Sequence, residues 1–204
     1  MAYCGWGYDE EFVKDYHNEW GTPLHDDKLQ FEYLSLEVMQ CGLSFSTVLK
    51  KRGILRSCFD NFDFDKVALY TQNDIERIMK TDGMIHAVRK INAIIKNARA
   101  FQNVRKEFGS FDKYIWSFSG QKSILYKDHE KGLIPAQNGL SEKISADLKN
   151  RGFTFVGPVV IYSHLQAAGI INDHDKNCPR RTELIAKYPV IELEKDNEKG
   201  VKQF

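Results

Sequence analysis

The sequence lacks any long apolar segment. No stretch reaches the roughly 18 consecutive apolar residues that a membrane-spanning helix needs. Met1 is not followed by the charged-then-apolar pattern of a secretion signal. These absences argue against a membrane protein and predict a soluble, cytoplasmic one. The length of 204 residues suits one globular domain or two small lobes that share a core.

The sequence also lacks an excess of charge of either sign, since its net charge at pH 7 is only +1. Proteins that coat long nucleic acids rely on many cationic contacts with phosphate, so near-neutrality argues mildly against that class. A small nucleic-acid footprint stays open. It would have to use local basic clusters, namely residues 50–52, Lys149 with Arg151, and Arg180 with Arg181.

Cysteine is scarce, with Cys4, Cys41, Cys58 and Cys178 as the whole set. In a chain without a secretion signal, disulfide pairing is the weaker interpretation of four cysteines. Taken alone, Cys4 would more often be a buried thiol than a metal ligand.

No segment shows the alternation of apolar and polar residues that is typical of a half-buried strand, and no internal repeat is present. Helical periodicity is clear instead, and it is strongest over residues 85–104, which we expect to form a central helix. Residues 120–139 have weak periodicity and are predicted to form a loop. The sequence therefore predicts an all-α fold.

A carboxylate lies on the apolar face of a helix predicted over residues 26–42. Leu34, Glu37 and Val38 share this face through their spacing of three and four residues. Glu37 can reach water at the edge of the face, as unpaired glutamates usually do. Alternatively, it faces a pocket and accepts hydrogen bonds from a ligand. Leu43, at the break after this helix, is either ordinary core or an exposed wedge.

Glycines bound a turn between two predicted helices at residues 151–158, RGFTFVGP. The first helix ends at Gly152 and the second begins at Gly157, while the apolar residues between them can anchor the turn. Glycines allow another backbone to come close, and a helix N-terminus presents free N–H groups to an anion. Such a hairpin can hold a DNA phosphate without reading sequence. Any tight turn between helices can also use glycine.

Cysteine and histidine occur as pairs at the two ends of the chain. Cys4 and His17 lie near the start, and His174 and Cys178 lie near the end, one helical turn apart. Two cysteines and two histidines make a closed structural zinc site, which would tie the two ends together. The alternative is four unrelated residues, because the remaining cysteines and histidines offer other sets.

Five ordered motifs resemble the family of 3-methyladenine DNA glycosylase I over about residues 1 to 180. They are Cys4-Gly-Trp6, Tyr16-His-Asn-Glu-Trp20-Gly21, LEVMQCGLSF at residues 36–45, RGFTFVGP at 151–158, and Asn172-Asp-His174 with Cys178. The resemblance implies a two-lobed helix-hairpin-helix glycosylase fold in residues 1–180. Residues 181–204 would form a charged tail, in which residues 184–190 can pack and which is disordered from Glu192 onward.

The resemblance also implies an activity in base-excision repair. The enzyme would be a monomeric, monofunctional hydrolase that flips 3-methyladenine out of alkylated double-stranded DNA and releases the base. Methylation at N3 gives the purine a positive charge, so its glycosidic bond is already weak and the base departs neutral. An enzyme then needs chiefly to extrude the nucleotide, stack the base on aromatic rings and place a carboxylate beside it.

Residue roles carry over from the matching motifs. Glu37 would be the catalytic residue that accepts hydrogen bonds from the base, and Leu43 would fill the gap left in the duplex. The other base-binding residues would be Tyr16, Phe45, Trp6 and Trp20. The other DNA contacts would be Gly152, Phe155, Gly157, Lys50 and Arg151. A structural Zn²⁺ would be held by Cys4, His17, His174 and Cys178.

The sequence departs from the family pattern near the base. Phe45 stands where the family usually has Trp, Val13 stands where it has a second pocket Tyr, and Cys41 replaces an Ala. These changes keep open a non-catalytic or altered-specificity module that binds damaged DNA. Asp173 could be cast as the catalytic Asp of other hairpin glycosylases, but we expect it to cap a helix or to support His174.

Overall fold

The computed structural model describes Cys4 and residues 11–132 and 134–195. These residues form eleven α-helices, two short strands and two 3-10 helices. The α-helices are α1 Glu11–Glu19, α2 Asp27–Gln40, α3 Phe45–Lys50, α4 Arg52–Cys58, α5 Phe64–Val67, α6 Gln72–Lys80, α7 Val88–Phe108, α8 Phe111–Ser117, α9 Gly139–Asn150, α10 Pro158–Ala167 and α11 Pro179–Lys187. The strands are β1 Ser123–Tyr126 and β2 Val190–Leu193, and the 3-10 helices are Asp60–Phe62 and Asp128–Lys131.

The helix that is enclosed on all sides is α2. Its ten consecutive residues Gln30–Met39 are all buried, between α3, α7, α8 and α10. The carboxylate of Asp26 caps its first turn by accepting the backbone N–H of Leu29 at 2.8 Å. At its other end, the Lys90 ammonium donates to the carbonyls of Met39 and Cys41. The helix predicted as central, now α7, buries one face and leaves the opposite one in solvent.

The prediction of an all-α fold holds for most of the chain and is wrong at β1 and β2. These strands pair in parallel, with Ser123 opposite Val190 and Tyr126 opposite Leu193. On its other side β1 makes a single bridge from Ile124 to Ile171. All four residues of β1 are buried, so its sequence, SILY, has no polar side to alternate with an apolar one. A search for alternation therefore misses it, and residues 120–139 are not simply a loop.

The end of the chain is more ordered than the sequence suggested. Helix α11 runs across the predicted boundary after residue 180, and Leu184 on it is 3% exposed. Glu192, predicted as the start of disorder, belongs to β2. The charged residues of the tail have partners here, because the Lys127 ammonium lies 2.7 Å from the Glu194 carboxylate. The predicted end of the tail, residues 196–204, lies outside the described residues.

The glycine-bounded turn joins α9 to α10 as predicted. Helix α9 begins at Gly139, where Asn138 and Ser141 form a reciprocal capping box. Phe153 and Val156 are buried under the turn. The Asn97 side chain fixes it, since Nδ2 donates to the Thr154 carbonyl at 3.0 Å and Oδ1 accepts the Thr154 N–H at 2.8 Å.

None of the described helices is both long enough and apolar enough to cross a membrane.

Candidate active site and metal centre

A cavity of about 260 Å³ opens between α2, α10 and the segment that follows α10. Helix α2 contributes Glu37 and Gln40, Phe45 begins α3, and Ser163 and Gln166 project from α10. The remaining lining residues are Cys4, Trp20, Ile134, Asp173 and Asp175. The cavity therefore joins residues from the beginning, the middle and the end of the chain.

Glu37 is a buried carboxyl group on the wall of this cavity. It is 5% exposed, and burial raises its pKa to about 8. None of the described residues donates a hydrogen bond to its carboxyl group. Of the two interpretations left open by the sequence, the structure supports the pocket and not the solvent-exposed edge. A cationic or hydrogen-bond-donating ligand would stabilise the ionised carboxylate here.

Aromatic rings lie beside this carboxyl group. Tyr16 is buried, and its ring centroid is 4.9 Å from that of Phe45, which lies on the cavity wall. The pKa of Tyr16 is raised well above its usual range by burial and, next, by Glu37. Val13, at 4% exposure, packs in the same apolar cluster as Tyr16. Trp20 lines the cavity, whereas Trp6 lies outside the described residues.

The predicted DNA contacts differ in how available they are. Leu43 follows α2 and is 39% exposed, which suits a wedge better than a core residue. Lys50, at the end of α3, is exposed and lies over the Phe12 ring at 5.5 Å from its centroid. Gly152 has a φ of +93°, which a residue with a side chain adopts only with strain. Gly157 has an ordinary φ of −62° and precedes the first turn of α10.

Arg151 is engaged within the protein. Its guanidinium lies 2.7 Å from the carboxylates of Glu107 and Asp147 and over the rings of Phe108 and Tyr114. These carboxylates hold the pKa of Arg151 above its usual value, the Glu107 hydrogen bond having the largest effect. A direct contact with DNA would compete with both ion pairs, which weakens that prediction for Arg151.

The four predicted metal ligands lie together and are all buried. Sγ of Cys4 is 3.2 Å from Nδ1 of His174 and 3.3 Å from Nε2 of His17. Sγ of Cys178 is 3.6 Å from Nε2 of His17 and 3.7 Å from Nδ1 of His174. Ligands in a tetrahedral shell with bonds of about 2.0–2.3 Å lie about 3.3–3.8 Å apart, so this donor set has the size to hold a metal ion.

Neighbouring groups orient the cluster. Nε2 of His174 lies 3.0 Å from the Trp20 carbonyl, which directs Nδ1 towards the cysteines. A Cβ at Gly21 would come 2.7 Å from that Nε2, so glycine is required for the close approach. Burial lowers the pKa of His174 to about 4 and raises that of Cys4 to about 12. The imidazole is thus neutral, as a ligand must be, and a cation would be needed to hold the thiolate.

His174 and Cys178 do not share a helix, contrary to the expectation from their spacing. They lie in the loop between α10 and α11, and Cys178 is the N-cap residue of α11. A tight turn, in which the Cys178 N–H donates to the Asp175 carbonyl at 2.8 Å, brings them together instead.

The contacts of Asp173 match neither of the two roles expected for it. Its buried carboxylate does not contact His174 or cap a helix. Instead, Oδ1 lies 2.7 Å from Nδ1 of His129, while Oδ2 accepts from the Tyr162 hydroxyl at 2.7 Å and from the Gln166 amide at 2.8 Å. Sequence reasoning missed this network. The sequence carried no local signal for it, because His129 lies 44 positions from Asp173 along the chain.

Two known proteins are similar to this chain in sequence. DNA-3-methyladenine glycosylase 1 of Escherichia coli is 41% identical over 179 residues, which cover 87% of this chain and 96% of the relative. The DNA-3-methyladenine glycosylase of Haemophilus influenzae is 38% identical over 180 residues, with 88% and 97% covered.

Solved structures share the fold. A variant of 3-methyladenine DNA glycosylase I in complex with 3-methyladenine superposes with a TM-score of 0.83 at 34% identity, over 89% of this chain and 98% of that one. The Staphylococcus aureus 3-methyladenine DNA glycosylase I gives 0.81 at 35% identity, with 89% and 97% covered.

The helical fold and the buried carboxyl group in an aromatic-walled cavity define a protein of the DNA glycosylase class. Residues 6–181 match the family described as Methyladenine glycosylase. The chain belongs to this family, as the sequence motifs had predicted.

Proposed function

We propose that this protein is a DNA-3-methyladenine glycosylase, a monofunctional hydrolase of base-excision repair. The observation that carries the proposal is the buried carboxyl group of Glu37 in a cavity walled by Phe45 and Trp20. The names of its relatives support the same activity.

The proposed reaction breaks the bond between N9 of the damaged base and C1′ of its sugar. The N3-methylated purine carries a positive charge, so it takes the bonding electron pair and leaves as neutral 3-methyladenine. Water then adds to C1′ and loses a proton, which leaves an abasic site. Glu37 accepts hydrogen bonds from the base, and its carboxylate favours binding of the cationic methylated base over a neutral one.

Stacking is the second component of base binding. The Phe45 ring on the cavity wall, backed by Tyr16, would stack on the extruded base, and Trp20 and Trp6 would complete the aromatic surround. A phenyl ring offers a weaker cation–π surface than an indole. We therefore expect the Phe45→Trp variant to release more 3-methyladenine than the parent chain.

DNA binding would depend on backbone N–H groups more than on charged side chains. In the proposed helix-hairpin-helix, Gly152, Phe155 and Gly157 shape a turn whose following helix, α10, begins without a side-chain cap and can direct N–H groups at a phosphate. Exposed Leu43 would fill the gap left by the extruded nucleotide, and Lys50 would contact the backbone nearby. Arg151 would act mainly by fixing the end of α9.

The metal that we propose for the four-residue cluster is zinc, in a structural role. Two thiolates and two imidazoles match its preferred ligands, and the set leaves no position for a substrate. Zinc would hold residues near the start of the chain against the loop before α11. We further propose that residues 1–180 form the two-lobed catalytic unit, on which the rest of α11 and β2 pack. The protein would act in the cytoplasm as a monomer.

The direct test is to incubate the protein with methylated double-stranded DNA and to identify the released bases chromatographically. We expect 3-methyladenine well above the spontaneous rate, and a large loss of release in the Glu37→Gln variant with its fold retained. Absence of release by the parent chain would refute the proposal. Tight lesion binding without release would support the damaged-DNA-binding module instead.

A further inference from the structure

The amide of Gln166 lies on the cavity wall with a fixed orientation. This half-buried residue on α10 lines the same cavity as Glu37 and Ser163. Its Nε2 group donates a 2.8 Å hydrogen bond to Oδ2 of Asp173. No side chain or N–H group in the described part of the structure donates to its Oε1 atom. Gln166 therefore presents a hydrogen-bond acceptor to which none of the described residues donates.

Asp173 is what sets this orientation. Its side chain has no solvent exposure, and its other partners are His129 and Tyr162, each at 2.7 Å. A carboxylate can only accept hydrogen bonds, so the amide must turn its NH₂ group towards Asp173. The carbonyl oxygen is then left as the polar atom that Gln166 offers to a ligand.

Two acceptors in one cavity discriminate between purines. At position 6, an adenine carries an amino group with two N–H donors, whereas a guanine carries an oxygen that only accepts. An amino group has one N–H donor for Glu37 and a second for Gln166. A 6-oxo group in the same place would leave the Oε1 atom facing another acceptor, and that mismatch is costly.

We propose that Gln166 is a specificity-determining residue, which accepts a hydrogen bond from the exocyclic amino group of an N3-alkylated adenine and disfavours an N3-alkylated guanine. Asp173 is its positioning residue. This inference rests on the proposed glycosylase function and adds to it the choice between 6-amino and 6-oxo purines.

The first test measures both bases in one reaction. DNA treated with a methylating agent contains 3-methyladenine and 3-methylguanine, and the ratio of their release rates is the readout. Gln166→Met keeps the length of the side chain and removes the amide. We expect the ratio to fall about tenfold, the effect of one hydrogen bond to a neutral group, chiefly through slower release of 3-methyladenine.

The second test reverses the orientation of the Gln166 side-chain amide. In the Asp173→Asn variant, the new side-chain amide can donate an N–H to Gln166, so the Gln166 amide can turn over and present its NH₂ group to the cavity. We expect the ratio to fall further than in Gln166→Met, with faster release of 3-methylguanine in absolute terms. Because Asp173 acts through Gln166, the double variant should match Gln166→Met alone.

The chain offers a matched control. Gln102 on α7 donates from Nε2 to the Asp65 carboxylate at 2.8 Å, outside the cavity, so Gln102→Met removes a similar glutamine–aspartate bond and should leave the ratio unchanged. A parent chain that releases no 3-methyladenine would refute the proposed function. If the parent chain releases 3-methyladenine and the Gln166→Met variant shows the same ratio of release rates as the parent, this inference is overturned. Metal content and melting temperature identify any variant of Asp173 that has lost its fold.

Discussion

At the scale of single residues, Glu37 combines a chemical role with a cost to stability. Every position from Gln30 to Met39 is buried, so the helix that carries Glu37 has no solvent-facing side on which to place its carboxyl group. The surrounding apolar residues stabilise the fold, and the carboxyl group opposes it whenever it is ionised and the cavity is empty. A functional site that opposes stability in this way is common in enzymes.

Because the ionised carboxylate opposes folding, the difference in stability between Glu37→Gln and the parent chain should depend on pH. The pKa of Glu37 is about 8 in the folded protein and 4.5 in the unfolded chain. Between these two pH values the folded protein therefore binds more protons than the unfolded chain. The stability that the protonated Glu37 contributes is lost as pH rises through this range. The variant should therefore gain stability relative to the parent chain between pH 5 and pH 9, by on the order of 4 kcal/mol. Melting temperatures across this range measure it, and a constant difference would contradict the assigned burial.

His164 presents the opposite case. It lies on α10 with no solvent exposure, and neither ring nitrogen has a hydrogen-bond partner among the described residues. Burial lowers its pKa to about 4 from an ordinary 6.5. The unfolded chain therefore takes up the proton first, and stability falls as pH drops below 6.5.

Replacing His164 with Leu should remove that pH dependence. We expect the parent chain to lose about 2 kcal/mol more than His164→Leu between pH 7.5 and pH 5. Denaturant unfolding at each pH provides the measurement. The comparison of slopes cancels the other histidines, which both proteins share, and parallel pH profiles would show that His164 is not buried in neutral form.

At the scale of elements, the segment beyond residue 181 lies outside the match to the family. The family match ends at residue 181, and the relatives are themselves covered to 96–97% of their lengths by about 180 residues of this chain. The added residues complete α11 and form β2, which covers one edge of β1. Leu193 packs against the main core, so this segment has become part of the folded structure.

Truncation tests this structural role. A chain that stops after Lys187 loses β2 and exposes the edge of β1, and we expect it to lose about 2–3 kcal/mol of stability and about 5–10 °C in melting temperature. A chain that stops after Lys195 keeps every described residue and serves as the control. Equal melting temperatures for the two would show that β2 contributes nothing to stability.

At the scale of the whole molecule, the metal cluster joins segments that lie far apart in the chain. Cys4 and Cys178 are separated by most of the sequence, yet their ligand atoms lie within 4.8 Å of those of both histidines. Metal binding would therefore close a long loop, and its binding free energy would contribute to folding.

We expect about one zinc ion per chain and a lower melting temperature after chelation. Cys178→Ser should lose the metal and reproduce the effect of chelation. Cys41→Ser, at a half-exposed cysteine outside the cluster, should keep both the metal and the melting temperature. Elemental analysis and thermal unfolding supply the measurements, and a metal-free parent chain with unchanged melting on chelation would contradict the zinc assignment.

The sequence by itself determined α2, α7, the two helices that flank the glycine turn, and the candidate residues of both sites. Each of these is encoded locally, by periodicity, by caps and by motif spacing. The five motifs also identified the family, because together they are specific even where each one alone is weak.

Only the tertiary structure decided which side chains meet. It enclosed α2 on all sides, and this burial raised the pKa of Glu37. It paired β1 with β2 across more than 60 positions, occupied Arg151 with Glu107 and Asp147, and brought His129 to Asp173 beside Gln166. Such contacts join residues whose local sequences carry no sign of one another, since hydrogen bonds and burial depend on distance in space and not along the chain.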